Sequence, residues 1–363
     1  MRNWLLTSIG TAALLHGACV PEFSNDLSQV RGARIVGIRS EPAEAREGAM
    51  VTFEALWVAP LDAETPNIEY HFCLDRTPLT ELGSVNPSCA AEPPPPGKLA
   101  DSSSNAAPLQ SLGSGVRVDT AIPNDACRLF GPRRPEPKPG EPSGRPVDPD
   151  PTGGFYQPVV AWIEPQHRAL GSTRLDCGLT GAAQATQREF ASRYRSNQNP
   201  ELADLQIVHE DGTIVSSAGR DRAVSEPARL GLAERVTLRA LWAACPREPT
   251  CGDHICGEGE DLVNCAEDCT RPRGCTGAES YAFYDREART LVRRREGITV
   301  SWYTTAGHFS SERTGRSEQD VDESETTVEY RAPDRPGEVG LWAVIHDDRG
   351  GTGIQFLKID VGL

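Results

Sequence analysis

Four cysteines and a set of carboxylates crowd into one stretch: Cys251-Gly252-Asp253-His254-Ile255-Cys256, then Gly257-Glu258-Gly259-Glu260-Asp261-Leu262-Val263-Asn264-Cys265-Ala266-Glu267-Asp268-Cys269. Thiols at such density ligate zinc or pair as disulfides. The spacing C-x4-C-x8-C-x3-C is not the paired C-x2-C of common zinc ribbons. The acids offer a third chemistry. Asp253, Glu258, Glu260, Asp261 and Asp268, with the neutral oxygen of Asn264, are candidate calcium ligands, because calcium takes six to eight oxygens and disulfides would preorganise the cage. The Asp-x-Asp-x-Asp-Gly spacing of an EF-hand is missing, and a solvated acidic loop is the plainer account. Elsewhere there is no His-Glu-x-x-His, no Gly-x-Ser-x-Gly, no phosphate-binding Gly-x-x-x-x-Gly-Lys loop and no Gly-x-Gly-x-x-Gly after a strand. His16, His71, His167, His209, His254, His308 and His346 are scattered without ligand spacing. His71 reads as a packing residue, and the aspartates of His346-Asp347-Asp348 read as partners of turn backbone.

The choice between metal and disulfide turns on compartment. Arg2 precedes an apolar stretch, Trp4 to Leu15, that ends in Gly17-Ala18 before Cys19. It reads as an export signal, too short for a comfortable membrane span. A small residue directly before a cysteine resembles a bacterial lipobox, with His16 where the box prefers Leu, Val or Ile; the resemblance implies cleavage after residue 18 and acylation of Cys19. Eleven cysteines less Cys19 leave ten. An even set in an oxidising compartment favours disulfides: Cys73, Cys89, Cys127, Cys177, Cys245, Cys251, Cys256, Cys265, Cys269 and Cys275. Cys245 and Cys275 flank the cysteine-rich segment symmetrically and are expected to pair and close its neck, a loop of about 30 residues whose closure is worth ~3–4 kcal/mol in the chain-entropy picture. With 37 basic against 52 acidic residues and a net charge of −15, the chain lacks the basic surface that nucleic acid requires.

The elements that must position these residues are strands. Among the 363 residues, 34 glycines and 29 prolines weigh against a helical bundle. Strands are expected at 34–39, 51–58, 68–73 and 155–163 in a first domain, 33–195. A second, 202–363, has strands at 202–208, 236–242, 297–303, 327–330, 339–345 and 353–361. The alternation of Val51-Thr52-Phe53-Glu54-Ala55 is that of a sheet with one buried face. Residues 20–32 read as a polar tether, 196–201 as an interdomain linker, and the interval 90–154, with its proline runs, as disordered loop stapled by cysteines. Arg293-Arg294-Arg295 is expected to pair with the acidic segment 318–325. Trp57, Trp162, Trp242, Trp302 and Trp342 read as core or interface aromatics. In both domains an alternating strand ends in Trp before a long insertion, which suggests duplication.

Gly307-His308-Phe309, Tyr330-Arg331-Ala332-Pro333 and Leu341-Trp342-Ala343-Val344-Ile345-His346-Asp347-Asp348-Arg349-Gly350-Gly351 resemble the C-terminal half of a bacterial immunoglobulin-like or PKD-like domain. The segment 251–269 resembles a secreted Cys-Gly-Asp-Gly-x-Cys repeat, with His254 in place of its second glycine. The whole layout is similar to surface lipoproteins of myxobacteria. These resemblances imply an all-β chain of two immunoglobulin-like β-sandwiches with a cysteine-rich knuckle, 245–275, inserted in the second. The functional expectation is a lipid-anchored envelope protein, at the outer membrane or cell surface. It would hold a protein or polysaccharide partner without catalysis or cofactor. A hydrolase whose site escapes motif search and a calcium-dependent adhesion module are the alternatives.

Overall fold

A computed structural model of the chain describes residues 27–76, 85–90, 109–132, 149–163, 167–219, 228–246, 248–270, 274–320 and 323–362. The stretch read as an export signal, Cys19 and most of the proline-rich stretches lie outside the described residues.

The chain is all-β. Its first unit runs β1 (Arg34–Glu41), β2 (Glu44–Ala45), β3 (Met50–Val58), β4 (Ile68–Cys73), β5 (Leu109–Ser114), β6 (Arg117–Ala121), β7 (Tyr156–Ile163) and β8 (His167–Leu175), with helices α1 (Ala126–Leu129) and α2 (Gln184–Arg193). These strands form two sheets, β1-β3-β6 and β2-β8-β7-β4-β5. The second unit begins with β9 (Leu202–Val208), β10 (Ile214–Gly219), β11 (Ala228–Gly231) and β12 (Arg235–Trp242). After α3 (Ala266–Cys269) come β13 (Ser280–Asp285), β14 (Thr290–Arg295), β15 (Ile298–Thr304), β16 (His308–Phe309) and β17 (Arg313–Arg316). It closes with β18 (Glu325–Arg331), β19 (Gly337–Asp347) and β20 (Thr352–Gly362). Its sheets are β10-β9-β12-β18-β16 and β11-β20-β19-β15-β17, with β13 and β14 a separate hairpin.

The two units repeat one topology. The order β1-β3-β6 maps onto β9-β12-β18, and β2-β8-β7-β4-β5 onto β11-β20-β19-β15-β17. In each, a short early strand pairs in parallel with the last strand, β2 with β8 and β11 with β20. The insertions do not repeat. The knuckle and the β13–β14 hairpin separate β12 from β15, whereas the first unit has its long intervals after β4 and after β6.

Period-two patterning explains the sandwich faces. Val236, Leu238, Ala240 and Trp242 of β12 point into the core, as do Thr326, Val328 and Tyr330 of β18 between exposed Thr327, Glu329 and Arg331. Trp302, on β15, is wholly buried there and donates its indole N–H to Thr314 Oγ1 at 2.9 Å. β19 breaks the alternation, because every residue from Val339 to Ile345 is buried. A strand covered on both faces reads as a continuous apolar run. One face of β19 meets the core of its own unit; on the other, Trp342 packs with Val58 of β3 and with Val30.

Two sequence readings need revision. Residues 27–32, read as free tether, are bound to the second unit. Val30 N–H donates to the Thr304 carbonyl and Thr304 N–H to that of Ser28, both at 2.8 Å, while the Val30 side chain is buried. The interval 90–154 contains β5, β6 and α1. β5 and β6 are edge strands held by β4 and β3, and half-exposed edges carry too weak an apolar pattern to be recognised.

Five disulfides fasten the loops: Cys73–Cys89, Cys127–Cys177, Cys245–Cys275, Cys251–Cys265 and Cys256–Cys269. The expected neck bridge is present. Among the described residues no bridge crosses between the units.

Candidate functional site

The knuckle is two interleaved disulfides wrapped in turns, and its acids hold those turns. Asp268 accepts the N–H of Gly252 at 2.7 Å and of His254 at 3.0 Å through its two oxygens. Asp253 accepts from Ile255 (2.8 Å) and Glu260 from Gly257 (2.7 Å). Asp261 accepts from Val263 (2.7 Å) and Asn264 (2.9 Å), and these bonds hold its carboxyl below the usual range. Glu258, almost wholly buried, takes Arg193 Nη2 on one oxygen and Arg293 Nε on the other, each at 2.7 Å. Glu260 and Asp268 approach each other beside Cys265, but that sulfur belongs to a disulfide and is no thiolate. The candidate calcium ligands are thus distributed along the loop, each occupied by an N–H or a guanidinium. His254 adopts φ 66°, the left-handed conformation that the glycine of the resembling repeat would take without strain.

A second gathering of carboxylates lies between the two units. Arg349, in the β19–β20 turn, has a fully buried side chain. Its Nη1 donates to Glu279 (3.1 Å) and Glu296 (3.3 Å), its Nη2 to Glu44 (3.2 Å) and to the Arg195 carbonyl (2.9 Å). Tyr281 and Tyr194 place their rings 4.7 and 5.5 Å from the guanidinium carbon. Glu44 is the first unit's contribution, held also by Tyr194 Oη (2.5 Å), the Asn197 N–H (2.8 Å) and Arg174 (3.5 Å). Asp347 closes the turn by accepting the N–H of Arg349 (2.9 Å) and Gly351 (2.8 Å), the backbone role expected for it.

The segment read as a linker is the spine of this seam. Asn197 and Asn199 are buried; Asn197 donates to Asp347 (3.3 Å), while Asn199 donates to the Ser40 carbonyl (2.7 Å) and accepts from the Thr352 N–H (3.0 Å). Asn199, whose side chain has partners in both units, and Asn197, whose backbone N–H meets Glu44 and whose side chain meets Asp347, suit a fixed joint better than a flexible one.

Burial drives the protonation of the seam. Desolvation pushes Glu279 up to about 8 and Glu296 well above the carboxylate range, against the pull of Arg349; the neighbouring Asp347 raises both further. Asp347 itself is raised to about 6, chiefly by burial. Tyr194 is raised to about 12 by burial and by Glu44. Its hydroxyl therefore stays a donor.

Of the basic triplet, Arg294 pairs with Glu318 at 2.6 Å as expected, Arg293 turns to the knuckle's Glu258 and Glu248, and Arg295 donates to the Cys245 carbonyl at 3.3 Å. His71 is half-buried and held below its ordinary value by desolvation. Sequence reasoning missed Arg174, Glu279 and Glu296 as a group. Their only local signal is a charge beside strand residues, as in Arg174-Leu175 or Glu296-Gly297-Ile298. Among the described residues no helix is long and apolar enough to cross a membrane.

No protein-family model matches the chain, and no curated protein matches it. Among solved structures, it is similar to Escherichia coli alpha-2-macroglobulin activated by porcine elastase (11% identity, TM-score 0.20, over 92% of this chain and 22% of that one). Two others are the adhesin InvE of Yersinia pseudotuberculosis (9%, TM-score 0.19, 89% and 58%) and dimeric latent PorU from Porphyromonas gingivalis (9%, TM-score 0.20, 91% and 34%). The chain spans about a fifth of the first and somewhat over half of the second. At these TM-scores the likenesses carry no argument about fold or function.

Proposed function

We propose that the protein is an exported, lipid-anchored component of the cell envelope, at the outer membrane or cell surface, acting as a rigid, non-catalytic binding or structural module for a protein or polysaccharide. The cysteine pattern carries this reading. All ten cysteines from Cys73 onward are in disulfides, and the eleventh, Cys19, directly follows an export segment. Five disulfides persist in an oxidising compartment, and a cysteine at the cleavage point of an export signal is what acylation uses. Two sandwiches of one topology, which we read as immunoglobulin-like, joined through a buried seam, suit a module that holds a shape. The knuckle and seam acids engage backbone, tyrosines and guanidiniums, an arrangement that favours scaffolding over turnover.

Intact-mass spectrometry of the protein expressed in a bacterial host with a lipoprotein pathway tests this. The expected result is a diacyl or triacyl adduct on Cys19 as the first residue, with ten hydrogens gained on reduction. An unmodified Cys19, or free thiols holding zinc, would overturn it.

A further inference from the structure

Among the described residues, the inner ring of the seam holds four carboxylates, Glu44, Glu279, Glu296 and Asp347, against two guanidiniums, Arg174 and Arg349. All six side chains are buried. Two surplus negative charges in a buried, low-dielectric site are far more costly than two protons taken from water. The two units are joined there by hydrogen bonds and ion pairs, and among the described residues no disulfide ties one to the other. We infer that the seam is a proton-operated latch: the two sandwiches close on it with uptake of protons, so that mild acid fastens the units together and mild alkali loosens them.

The groups packed around the ring leave the titration to its carboxylates. From β7, Tyr156 donates to Asp150, and burial raises its phenol; burial likewise raises Tyr281 of β13. Both stay neutral across the physiological range. His346, on β19, is lowered to about 4 by burial and carries no charge there either. Arg294 of β14 faces Asp348 and Glu318 at the rim, and Arg295 faces the knuckle neck. Arg195, after α2, is lowered by burial and opposed by Asp261, Glu260 and Glu258 of the knuckle. Two small cavities adjoin the ring. A cavity of about 20 Å³ lined by Arg195, Glu258, Glu279 and Arg293 adjoins it on the knuckle side, and one of about 50 Å³ lined by Glu44, Arg174 and Tyr194 on the other. Either is roomy enough for a water molecule.

The direction of the effect follows from linkage. In the open state Asp347 and Glu279 lose their protons near the ordinary carboxyl range of about 4; in the closed state Asp347 holds its proton to about 6 and Glu279 to about 8. Closure therefore binds protons across that interval. It is favoured in full below about pH 4 and weakens as pH rises from there, through about 6 for Asp347 and about 8 for Glu279, by up to ~10-fold per pH unit for each proton linked.

Hydrogen exchange on the full mature chain at pH 5.5 and 8.5, corrected for intrinsic rates, tests the latch. Protection of 196–200 and 347–352 is expected to fall at least tenfold relative to β3 and β12. In Glu296→Gln and Glu279→Gln, which mimic the protonated acid, that fall is expected to be less than half as large. Seam protection that is constant or rises with pH, or a fall unchanged in both variants, overturns the latch. Should the variants not fold, X-ray scattering of the unaltered protein decides: the radius of gyration is expected to grow from pH 5.5 to 8.5, and a constant value contradicts the proposal.

Discussion

The knuckle keeps its acids within sixteen residues of sequence and uses them to hold its own turns, whereas the seam brings Glu44 to Arg349 across 305 positions and buries the pair between two units. Local density in sequence supplied four of the five acids with local backbone partners and lowered the pKa of Asp261, while Glu258 reaches out to Arg193 and Arg293. Long-range convergence produced carboxylates with raised pKa values. An acidic run thus says little about where charge is costly, because adjacent acids in a turn find N–H donors and water. Acids gathered by the fold must share whatever cation is buried with them.

Four changes would break or sharpen that contrast. Arg349→Met should be the most damaging, at about 3–5 kcal/mol in urea unfolding, because it leaves Glu44, Glu279 and Glu296 buried without their common cation. The loss should be smaller at pH 5.5 than at pH 8.5, since the stranded acids can then be protonated. Replacing Cys245 and Cys275 together by serine should cost about 3 kcal/mol, the loop-closure contribution of 30 residues, with increased proteolysis confined to the knuckle. His254→Gly should raise stability by about 1 kcal/mol by removing left-handed strain at φ 66°. Calcium or a chelator should leave the melting temperature unchanged, because each of the five candidate carboxylates already holds a donor; a rise of several degrees with calcium would show that the cage forms after all.

Much of the sandwich was legible because period two is a local property. β12 is read directly from Val236-Thr237-Leu238-Arg239-Ala240-Leu241-Trp242, and the apolar run 339–345 announces a strand covered on both faces. The neck bridge was legible from symmetry, and the role of Asp347 from turn chemistry. β8 was not recognised: His167-Arg168-Ala169-Leu170-Gly171-Ser172-Thr173-Arg174-Leu175 has no clean alternation, since its first half lies exposed and only its end meets the core. β14 hid behind its three arginines, each of which has its partner in another segment. The linker misled for a different reason. Asn197-Gln198-Asn199-Pro200 has the composition of a turn, yet buried asparagines do as well as exposed ones when backbone groups of two units meet them. Val30 is one apolar residue in a polar stretch, too little to foretell that residues 28–30 bind beside Thr304.

The central claim is that the seam makes one cooperative body of two sandwiches. Scanning calorimetry at pH 5.5 tests it directly, on the unaltered protein and on Arg349→Met. A single transition whose calorimetric and van't Hoff enthalpies agree, splitting into two in the variant, is the predicted result. Two separate transitions in the unaltered protein would contradict it, for the seam would then join the units without coupling their stability.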